Sequence, residues 1–390
     1  MKFYTADYIL PVAGDPVKDG IIATGDDGKI IGLYQKDAIN IEPEQVEQFE
    51  GILVPGFVNS HCHLELSHLH GKIPGGEGLI SFVGNVLKSR SAAPENMEAA
   101  MEEADREMWA NGIVAVGDIS NTAVSRNIKE QSKIYYHTFI ELIGFSPQNY
   151  EAVFQKGLQL KDEFSPLKSS LTPHATYSVC KDLLRAINSY CLQEGDFISI
   201  HNQETEEENK FYRYKTGRFL DFYRDLQINI DFFKPQARNS IQSILPLFSE
   251  KVPAMMVHNI YTSLKDIYFV RRSAKNINWC FCPNANLYIE KRLPKIDLFL
   301  FKDFNIMLGT DSLASNSGLC ILSELKTLHD NFPSLKLTDT IAWATLNGAK
   351  FLNIEKHFGS FEAGKTPGIN LITAVDGLKL TKQSAVKRII

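Results

Sequence analysis

The middle of the chain alternates between short apolar runs and longer segments with helical periodicity, and this alternation constrains the fold more than any other feature. Eight apolar runs of strand length occur in the order GILVPGFVNSH, GIVAVGDIS, KIYYHTFIELI, SSLTPHATYS, DFISIHNQE, AMMVHNIY, NWCFCPNAN and NIMLGTDS. Segments such as NMEAAMEEADREMWANG lie between them, and several close with glycine. Alternating strands and helices favour a parallel sheet. Eight such units predict an α/β fold, a (β/α)8 TIM barrel.

Polar side chains stand at or near the ends of these apolar runs. In a TIM barrel the active site lies at the carboxyl ends of the strands, where such side chains converge. A single histidine at a strand end is usually structural, but polar groups after all eight runs predict a functional site. These residues are His61, His63, Asp118, Glu141, His174, His201, Glu204, His258, Asn284, Asn286 and Asp311.

The segment NSHCHLE places two histidines two residues apart at the end of the first run. Because residues i and i+2 of a strand face the same side, His61 and His63 can share one metal ion while Cys62 points away. Imidazole nitrogen is a preferred zinc ligand, and a catalytic site leaves a further position open. We assign the third ligand to His201 and the fourth to Asp311, although Asp311 alone is equally typical of a helix N-cap.

Charge, hydropathy and cysteine usage exclude several classes of protein. The net charge is −5 without a basic stripe, which argues against nucleic acid as a partner. No run reaches the roughly 18 apolar residues of a membrane span, and the start of the chain lacks the pattern of a signal peptide. Six scattered cysteines are typical of reduced thiols in a cytoplasmic protein. We interpret the pair Cys280 and Cys282 as strand residues rather than metal ligands.

Two segments are longer than a strand–helix unit needs. Residues 64–85 follow the first run, and residues 205–235 follow Glu204 with many charged and aromatic side chains. We expect the second segment to form a loop and an extra helix over the rim of the barrel. Its first acidic residues, Glu206 to Glu208, are predicted to form a solvated run.

Taken together, these motifs resemble the amidohydrolase superfamily, in its branch of cytosine deaminases, chlorohydrolases and nucleoside deaminases. The matching segments are PGFVNSHCHLE, TPHATYS, HNQET, VHNIYTS, CPNAN and LGTDSLASN, in the family's order. The resemblance implies a barrel over residues 55–357. It also implies a small flanking β-sandwich built from residues 1–54 and 358–390, where short β-like runs occur at both ends of the chain.

The resemblance also implies roles for individual residues. It supports a metal site formed by His61, His63, His201 and Asp311. Glu204 is implied as the proton shuttle, His258 as a group that steadies the reacting water, and His174 as a substrate contact. The physics fits these roles, because a divalent ion lowers the pKa of bound water from about 15.7 toward 7. Asp311 can then accept a proton as the nucleophile attacks.

A single metal ion is expected. Binuclear members of the superfamily bridge two metals with a carboxylated lysine on the fourth strand, whereas the fourth run here ends in His174. Three histidines and one aspartate suit zinc, with ferrous iron as the alternative.

The substrate class is expected to be an amino-purine nucleoside or related amino-heterocycle that loses ammonia. Alternatives are hydrolysis of a C–Cl bond or cyclic amide, and a non-catalytic metal-binding protein. Glu65, Glu77 and Phe82 are candidate ribose or base contacts, with surface or core roles as the alternative. The HLELSHL segment is closer to the aminodeoxyfutalosine deaminases than to the methylthioadenosine deaminases. Related enzymes often assemble, so a homo-oligomer is a further expectation.

Overall fold

A computed structural model describes residues 1–38, 41–90 and 96–390. Its strands, in chain order, are β1 (Lys2–Thr5), β2 (Tyr8–Ile9), β3 (Val17–Lys18), β4 (Ile21–Thr24), β5 (Ile30–Tyr34), β6 (Val46–Gln48), β7 (Ile52–Pro55), β8 (Phe57–Cys62), β9 (Ile113–Ser120), β10 (Tyr135–Leu142), β11 (Ser169–Pro173), β12 (Ile198–Asn202), β13 (Ala254–His258), β14 (Ile277–Phe281), β15 (Asn305–Leu308), β16 (Ile369–Thr373) and β17 (Ala385–Arg388).

The α-helices surround the central strands. They are α1 (Leu79–Arg90), α2 (Met97–Ala110), α3 (Arg126–Gln131), α4 (Tyr150–Glu163), α5 (Lys181–Glu194), α6 (Glu206–Tyr214), α7 (Phe219–Asp225), α8 (Ser240–Ile244), α9 (Leu264–Arg272), α10 (Pro283–Glu290), α11 (Ile321–Asn331), α12 (Leu337–Thr340) and α13 (Leu346–Phe351). The helix predicted in NMEAAMEEADREMWANG is α2, and Gly112 after it adopts a left-handed φ of 76°. Within the described part of the chain, no helix combines the length and the apolar character that crossing a membrane requires.

The eight predicted central strands, β8 to β15, are all present and run parallel to their neighbours. They form two four-stranded sheets, β8–β9–β10–β11 and β12–β13–β14–β15. The two sheets are linked by two isolated β-bridges, which are single backbone pairings. One pairs Ala175, just after β11, with His201 of β12, and the other pairs Cys62 of β8 with Asp311, after β15. Both bridges are parallel and lie at the carboxyl ends of the strands, so the sheets are connected at the level of the candidate site.

Apolar side chains fill the space between these strands. Val58, Phe139, Met255 and Met307 belong to one buried cluster that draws residues from both sheets. Strands buried on both faces read as continuous apolar runs, which explains the pattern in the sequence. The two cysteines of the C-x-C pair, Cys280 and Cys282, are fully buried in the same cluster, as expected for core residues. Phe351 of α13 belongs to this cluster as well.

The two ends of the chain come together in separate small sheets. One has the strand order β5–β4–β1–β6, and the other has the order β17–β16–β7–β2–β3. In the second sheet β16 lies antiparallel to β7, with Ile369 opposite Pro55. Buried side chains from both sheets, including Tyr4 and Leu371, share one apolar cluster. The terminal β segments therefore associate across more than 300 residues of intervening chain.

Candidate functional site

The predicted metal ligands come from opposite sides of the strand arrangement and meet at one point. His61 lies on β8, and His63 follows that strand directly. His201 lies on β12, and Asp311 lies in the turn after β15. We call these four side chains the ligand cluster. All four leave the carboxyl ends of their strands, where the apolar core stops and polar groups can face a cavity.

The distances within the ligand cluster are short. Nε2 of His63 lies 3.2 Å from Nε2 of His61 and 3.2 Å from Nε2 of His201. Oδ1 of Asp311 lies 3.5 Å from Nε2 of His63 and 3.9 Å from Nε2 of His61. Two ring nitrogens and one carboxylate oxygen therefore lie within 3.5 Å of Nε2 of His63.

Two ligands are oriented by hydrogen bonds from their outer atoms. Nδ1 of His201 donates to the carbonyl oxygen of His174 at 2.7 Å, which leaves Nε2 unprotonated and turned toward the cluster. Oδ2 of Asp311 accepts a hydrogen bond from Oγ of Ser315 at 2.6 Å, so Oδ1 is the oxygen that faces the histidines. These two hydrogen bonds thus determine which atom of His201 and of Asp311 faces the ligand cluster.

The backbone at three strand ends is unusual. Gln203, His258 and Asp311 adopt left-handed φ angles of 48°, 74° and 56°. Non-glycine residues seldom occupy this region, and they do so mainly where the surrounding structure holds them in place. Gly309 also has a specific role, because a Cβ at this position would lie 2.7 Å from Cβ of His61. Its missing side chain lets the segment that carries Asp311 approach β8.

The electrostatic environment favours neutral histidines. Burial lowers the pKa of His61 well below its ordinary value, and the neighbouring His63 lowers it further. Burial also lowers the pKa of His201 to about 4. Neutral imidazole is the form that ligates metal. Burial raises the pKa of Asp311 to about 6, against the opposing hydrogen bond from Ser315.

The donor set fits a zinc-like ion. Zinc–nitrogen bonds of about 2.05 Å at tetrahedral angles place ligand nitrogens roughly 3.3 Å apart, close to the spacing in the cluster. Nε2 of His63 faces two other ring nitrogens, and when each of these nitrogens is unprotonated their lone pairs can bind one cation. Two further groups bring ligand atoms together: His61, His201 and His258 form one, and Glu141, His174 and His201 form the other. In the first of them, Nε2 of His258 also faces Glu204. The second uses His201 as well. There, however, Nδ1 of His201 is already occupied by the His174 carbonyl.

Glu204 and His258 lie beside the ligand cluster. Oε2 of Glu204 is 3.7 Å from Nε2 of His258, and both side chains are almost completely buried. Nδ1 of His258 donates to Oδ1 of Asn286 at 2.8 Å, which directs Nε2 toward Glu204. Burial, with the charge of Asp311 as a second cause, raises the pKa of Glu204 well above its ordinary value. Burial therefore favours the protonated form of this carboxyl.

A cavity opens onto these groups. Its inner end is polar and contains His63, His174, His201, Glu204, His258 and Asp311. Its outer walls come mainly from the helices α1 and α7 and the segments next to them. The apolar side chains of these walls include Leu66, Leu79, Phe82, Val83, Val86, Leu87, Phe222, Leu226 and Ile228. One end of the cavity thus offers hydrogen bonds and charge, while the other offers apolar contact.

The structure brings two of the four candidate substrate contacts to this cavity, His174 and Phe82. Glu65 is buried behind it, where its carboxylate accepts hydrogen bonds from the backbone of Asn121 and Thr122. Glu77 is exposed and lines a separate surface groove. Its turn is bonded to the end of α10, since the amide of Gly76 donates to the carbonyl of Tyr288 at 2.6 Å. Neither acidic residue faces the cavity in this structure.

Other polar residues at strand ends have different surroundings. Asp118 forms a fully buried ion pair with Lys129 at 2.6 Å and accepts the backbone amide of Leu64. Glu141 does line the cavity, together with Asn121, whose Nδ2 donates to Oε2 of Glu141 at 2.8 Å. The sequence signal for Glu141 was its position at the end of an apolar run. Asn121, by contrast, follows its strand without a distinguishing pattern.

The prediction of a solvated acidic run after Glu204 is wrong for one residue. Glu206 and Glu207 are partly exposed, but Glu208 is fully buried. It occupies the face of α6 that also buries Asn209 and Tyr212, toward the strand ends. The spacing of Glu204, Glu208 and Tyr212 at intervals of four residues was the available signal. The predicted extra helix over the rim is confirmed by α6 and α7.

The fold and the site together define a hydrolase-type α/β architecture with a histidine-rich group of side chains that could hold a metal ion. The family model described as the amidohydrolase family matches residues 52–387, and the chain belongs to that family. It is accordingly a hydrolase that acts on carbon–nitrogen bonds.

Named relatives agree with this assignment. An adenosine deaminase of Helicobacter pylori is 28% identical over 363 residues, covering 91% of this chain and 87% of the relative. The crystal structure of Helicobacter pylori aminofutalosine deaminase in complex with methylthio-coformycin has a TM-score of 0.85 and 23% identity, covering 100% of both chains. An adenosine deaminase structure from Xanthomonas campestris with bound zinc has a TM-score of 0.74 and 20% identity, covering 95% of this chain and 85% of the other. These solved structures support the TIM-barrel type of fold.

Proposed function

We propose that the protein is a metal-dependent aminohydrolase that deaminates an adenine-type nucleoside and releases ammonia. The observation that carries the proposal is the position of Glu204, a buried carboxyl beside His258 at the edge of the ligand cluster. A protein that only binds metal has no need of a proton-holding group at this point. The adenosine deaminase relative at 28% identity supports the same reaction.

We infer that one divalent ion, zinc with ferrous iron as the alternative, is held by His61, His63, His201 and Asp311. When bound, such an ion lowers the pKa of a coordinated water toward about 7 and so supplies a nucleophile at neutral pH. The described side chains then have separable tasks. Asp311, with its Oδ2 held by Ser315, presents Oδ1 as a proton acceptor at the cluster.

Glu204 transfers the proton in this proposal. Burial raises the pKa of its carboxyl and so favours the protonated form, which can donate to a ring nitrogen of the substrate. The proton that Asp311 accepts from the attacking water can then pass to the leaving amine, and Glu204 takes up the remaining hydroxyl proton as the carbon–nitrogen bond breaks. His258 keeps a neutral ring because burial lowers its pKa to about 3. Its Nε2 is therefore a hydrogen-bond acceptor beside Glu204 and can orient the attacking water. General acid–base help of this kind typically contributes about 10²–10⁴-fold to the rate.

The two ends of the cavity suggest the shape of the substrate. The polar end, with His174 and Glu204, suits the amino-heterocycle and the ribose. The apolar walls around Phe82 and Phe222 suit an apolar group on the 5′ side of the nucleoside. A relative named aminodeoxyfutalosine deaminase, from Nitratiruptor, is 26% identical over 339 residues and covers 84% of this chain. We therefore propose a 5′-modified adenosine as substrate.

The domain organisation follows the same family resemblance. We propose that β8 to β15 form one (β/α)8 barrel over residues 55–357, with the bridges at Ala175 and Cys62 marking its two seams. Residues 1–54 and 358–390 then form the flanking β-sandwich, supported by the antiparallel pairing of β16 with β7.

An ammonia-release assay tests the function. Zinc-reconstituted protein is supplied with adenine, adenosine, 5′-modified adenosines, cytosine and a chlorinated triazine, and ammonia and chloride are both measured. We expect the highest kcat/KM for a 5′-modified adenosine. A site that hydrogen-bonds a ribose discriminates strongly against ligands without one, because its buried polar groups are left unpaired. Cytosine as the best substrate by tenfold, or chloride release from the triazine, would overturn the nucleoside proposal.

A further inference from the structure

The first turn of α6 contains a fully buried acid that the proposed chemistry does not use. Glu208 is 0% exposed, although Glu206 and Glu207 beside it are partly exposed. Acidic side chains are almost never fully buried unless they have partners. The partners of Glu208 therefore indicate why this residue stands there.

One carboxyl oxygen of Glu208 connects two strand-end turns. Its Oε1 accepts a hydrogen bond from Oγ1 of Thr176 at 2.7 Å and another from the backbone amide of Gln203 at 3.0 Å. Thr176 lies two residues beyond His174, and Gln203 directly precedes Glu204. The turn with the proposed substrate contact is thus tied to the turn with the proposed proton shuttle.

A second contact from the same helix face strengthens this link. Tyr212 is one helical turn beyond Glu208, and its hydroxyl donates to the carbonyl oxygen of Thr176 at 2.7 Å. Thr176 is consequently held by both its side chain and its backbone. Through these hydrogen bonds, α6 connects the segment after β11 to the segment after β12.

The direction of Glu204 depends on the conformation of Gln203. Gln203 has a left-handed φ of 48°, a conformation that costs roughly 1–3 kcal/mol unless the surroundings hold it. Its side chain is held by Asn209 and Thr262, at 3.0 and 2.7 Å. Its backbone amide is held by Glu208. Loss of Glu208 would free that amide and loosen the link to Thr176 at the same time.

We infer that Glu208 is a positioning residue that keeps Glu204 and His174 in register for the reaction, an inference that rests on the proposed function. The oxygen of a glutamine can accept the same two hydrogen bonds, whereas alanine leaves both donors without their acceptor. A displacement of a reacting group by about 1 Å can cost 100-fold in rate. The side chain therefore acts on turnover through Glu204 and not by contact with the substrate.

The test compares Glu208→Ala, Glu208→Gln and the control Glu206→Ala in the full-length, metal-loaded protein. We expect Glu208→Ala to lower kcat, expressed per bound metal ion, by about 10- to 100-fold, and Glu208→Gln to recover most of the turnover. Hydrogen exchange of the backbone amides of residues 174–178 and 203–205 should be faster in Glu208→Ala than in the wild-type protein. It should stay at the wild-type rate in Glu208→Gln and Glu206→Ala. If this variant does not fold, Thr176→Val removes one of the two hydrogen bonds and should accelerate exchange in both segments.

Normal kcat in Glu208→Ala, or faster exchange confined to α6, overturns the inference. A different result would overturn the proposed function: release of no ammonia from any nucleoside by the wild-type protein. In that case the hydrogen-exchange data still show whether Glu208 couples the turn after β11 to the turn after β12, because hydrogen exchange needs no substrate.

Discussion

Nδ1 of His201 lies 2.7 Å from the carbonyl oxygen of His174, so the turn after β11 determines which nitrogen of His201 faces the ligand cluster. The other nitrogen, Nε2, lies 3.2 Å from Nε2 of His63. Outer hydrogen bonds of this kind orient ligating histidines and raise their affinity for metal. The conformation of a neighbouring turn is therefore part of the proposed metal site, although the turn supplies no ligand.

The first prediction concerns the metal content. We expect one divalent ion per chain, and we expect His201→Ala to lose most of it because one of the four ligands is removed. His70→Ala is the matched control, since His70 is exposed and lies outside the ligand cluster. Elemental analysis after reconstitution and dialysis checks this prediction. Two ions per chain in the wild-type protein, or full retention by His201→Ala, would contradict it.

The second prediction separates proton transfer from binding. We expect Glu204→Gln to retain the metal and the fold, and to lower kcat by at least about 10²-fold because the amide cannot transfer a proton. KM should change far less than kcat. Steady-state kinetics and metal analysis on the same preparation provide the measurement.

Glu206→Gln is the control for this prediction, because Glu206 belongs to the same acidic run and is partly exposed. It should keep the wild-type turnover. If Glu204→Gln turns over normally, the shuttle is a different group, and Glu141 at the same cavity is then the first to consider.

The ligand cluster was predictable from the sequence because its geometry depends on strand ends. Parallel strands place their carboxyl ends at one edge, so residues that follow apolar runs come together even when 250 positions separate them, as for His61 and Asp311. Local patterns are enough to locate such residues. The α/β class and the eight parallel strands follow from the same patterns.

The surroundings of the acidic residues were not predictable in this way. Burial of Glu208 depends on Thr176, which lies 32 positions earlier in the chain. The position of Glu77 depends on a turn that is bonded to Tyr288, more than 200 positions later. Such contacts between loops leave no periodic pattern in the sequence. A charged residue in a loop is therefore predicted to be exposed to solvent, whether or not the fold buries it.

The third prediction concerns the apolar wall of the cavity. Leu226 lines the wall and is 43% exposed, so Leu226→Ser should fold normally. We expect kcat/KM for an adenosine with an apolar 5′ group to fall about tenfold, because a lost hydrophobic contact of this size costs about 1–3 kcal/mol. Unmodified adenosine should be much less affected. Leu264→Ser is the control, because Leu264 is 47% exposed and lies outside the cavity. An equal fall in kcat/KM for both nucleosides would count against the proposed orientation of the substrate.

The fourth prediction concerns the pH dependence of stability. Glu324 is fully buried and accepts hydrogen bonds from the amide of Asn284 and the side chain of Asn316, yet burial raises its pKa from 4.5 to about 8. Between these two values the folded chain binds the proton and the unfolded chain does not. The contribution of Glu324 to stability therefore falls as the pH rises from 4.5 to about 8, by up to about 1.4 kcal/mol per pH unit.

The Glu324→Gln variant, which resembles the protonated acid, should lose this part of the pH dependence. We expect it to match the wild-type protein near pH 5 and to exceed it in stability near pH 8, as measured by urea denaturation at both values. Glu103→Gln, at a side chain that is 72% exposed, should follow the wild-type curve. Parallel pH curves for wild type and Glu324→Gln would show that the buried carboxyl is ionised throughout, its charge stabilised by Asn284 and Asn316.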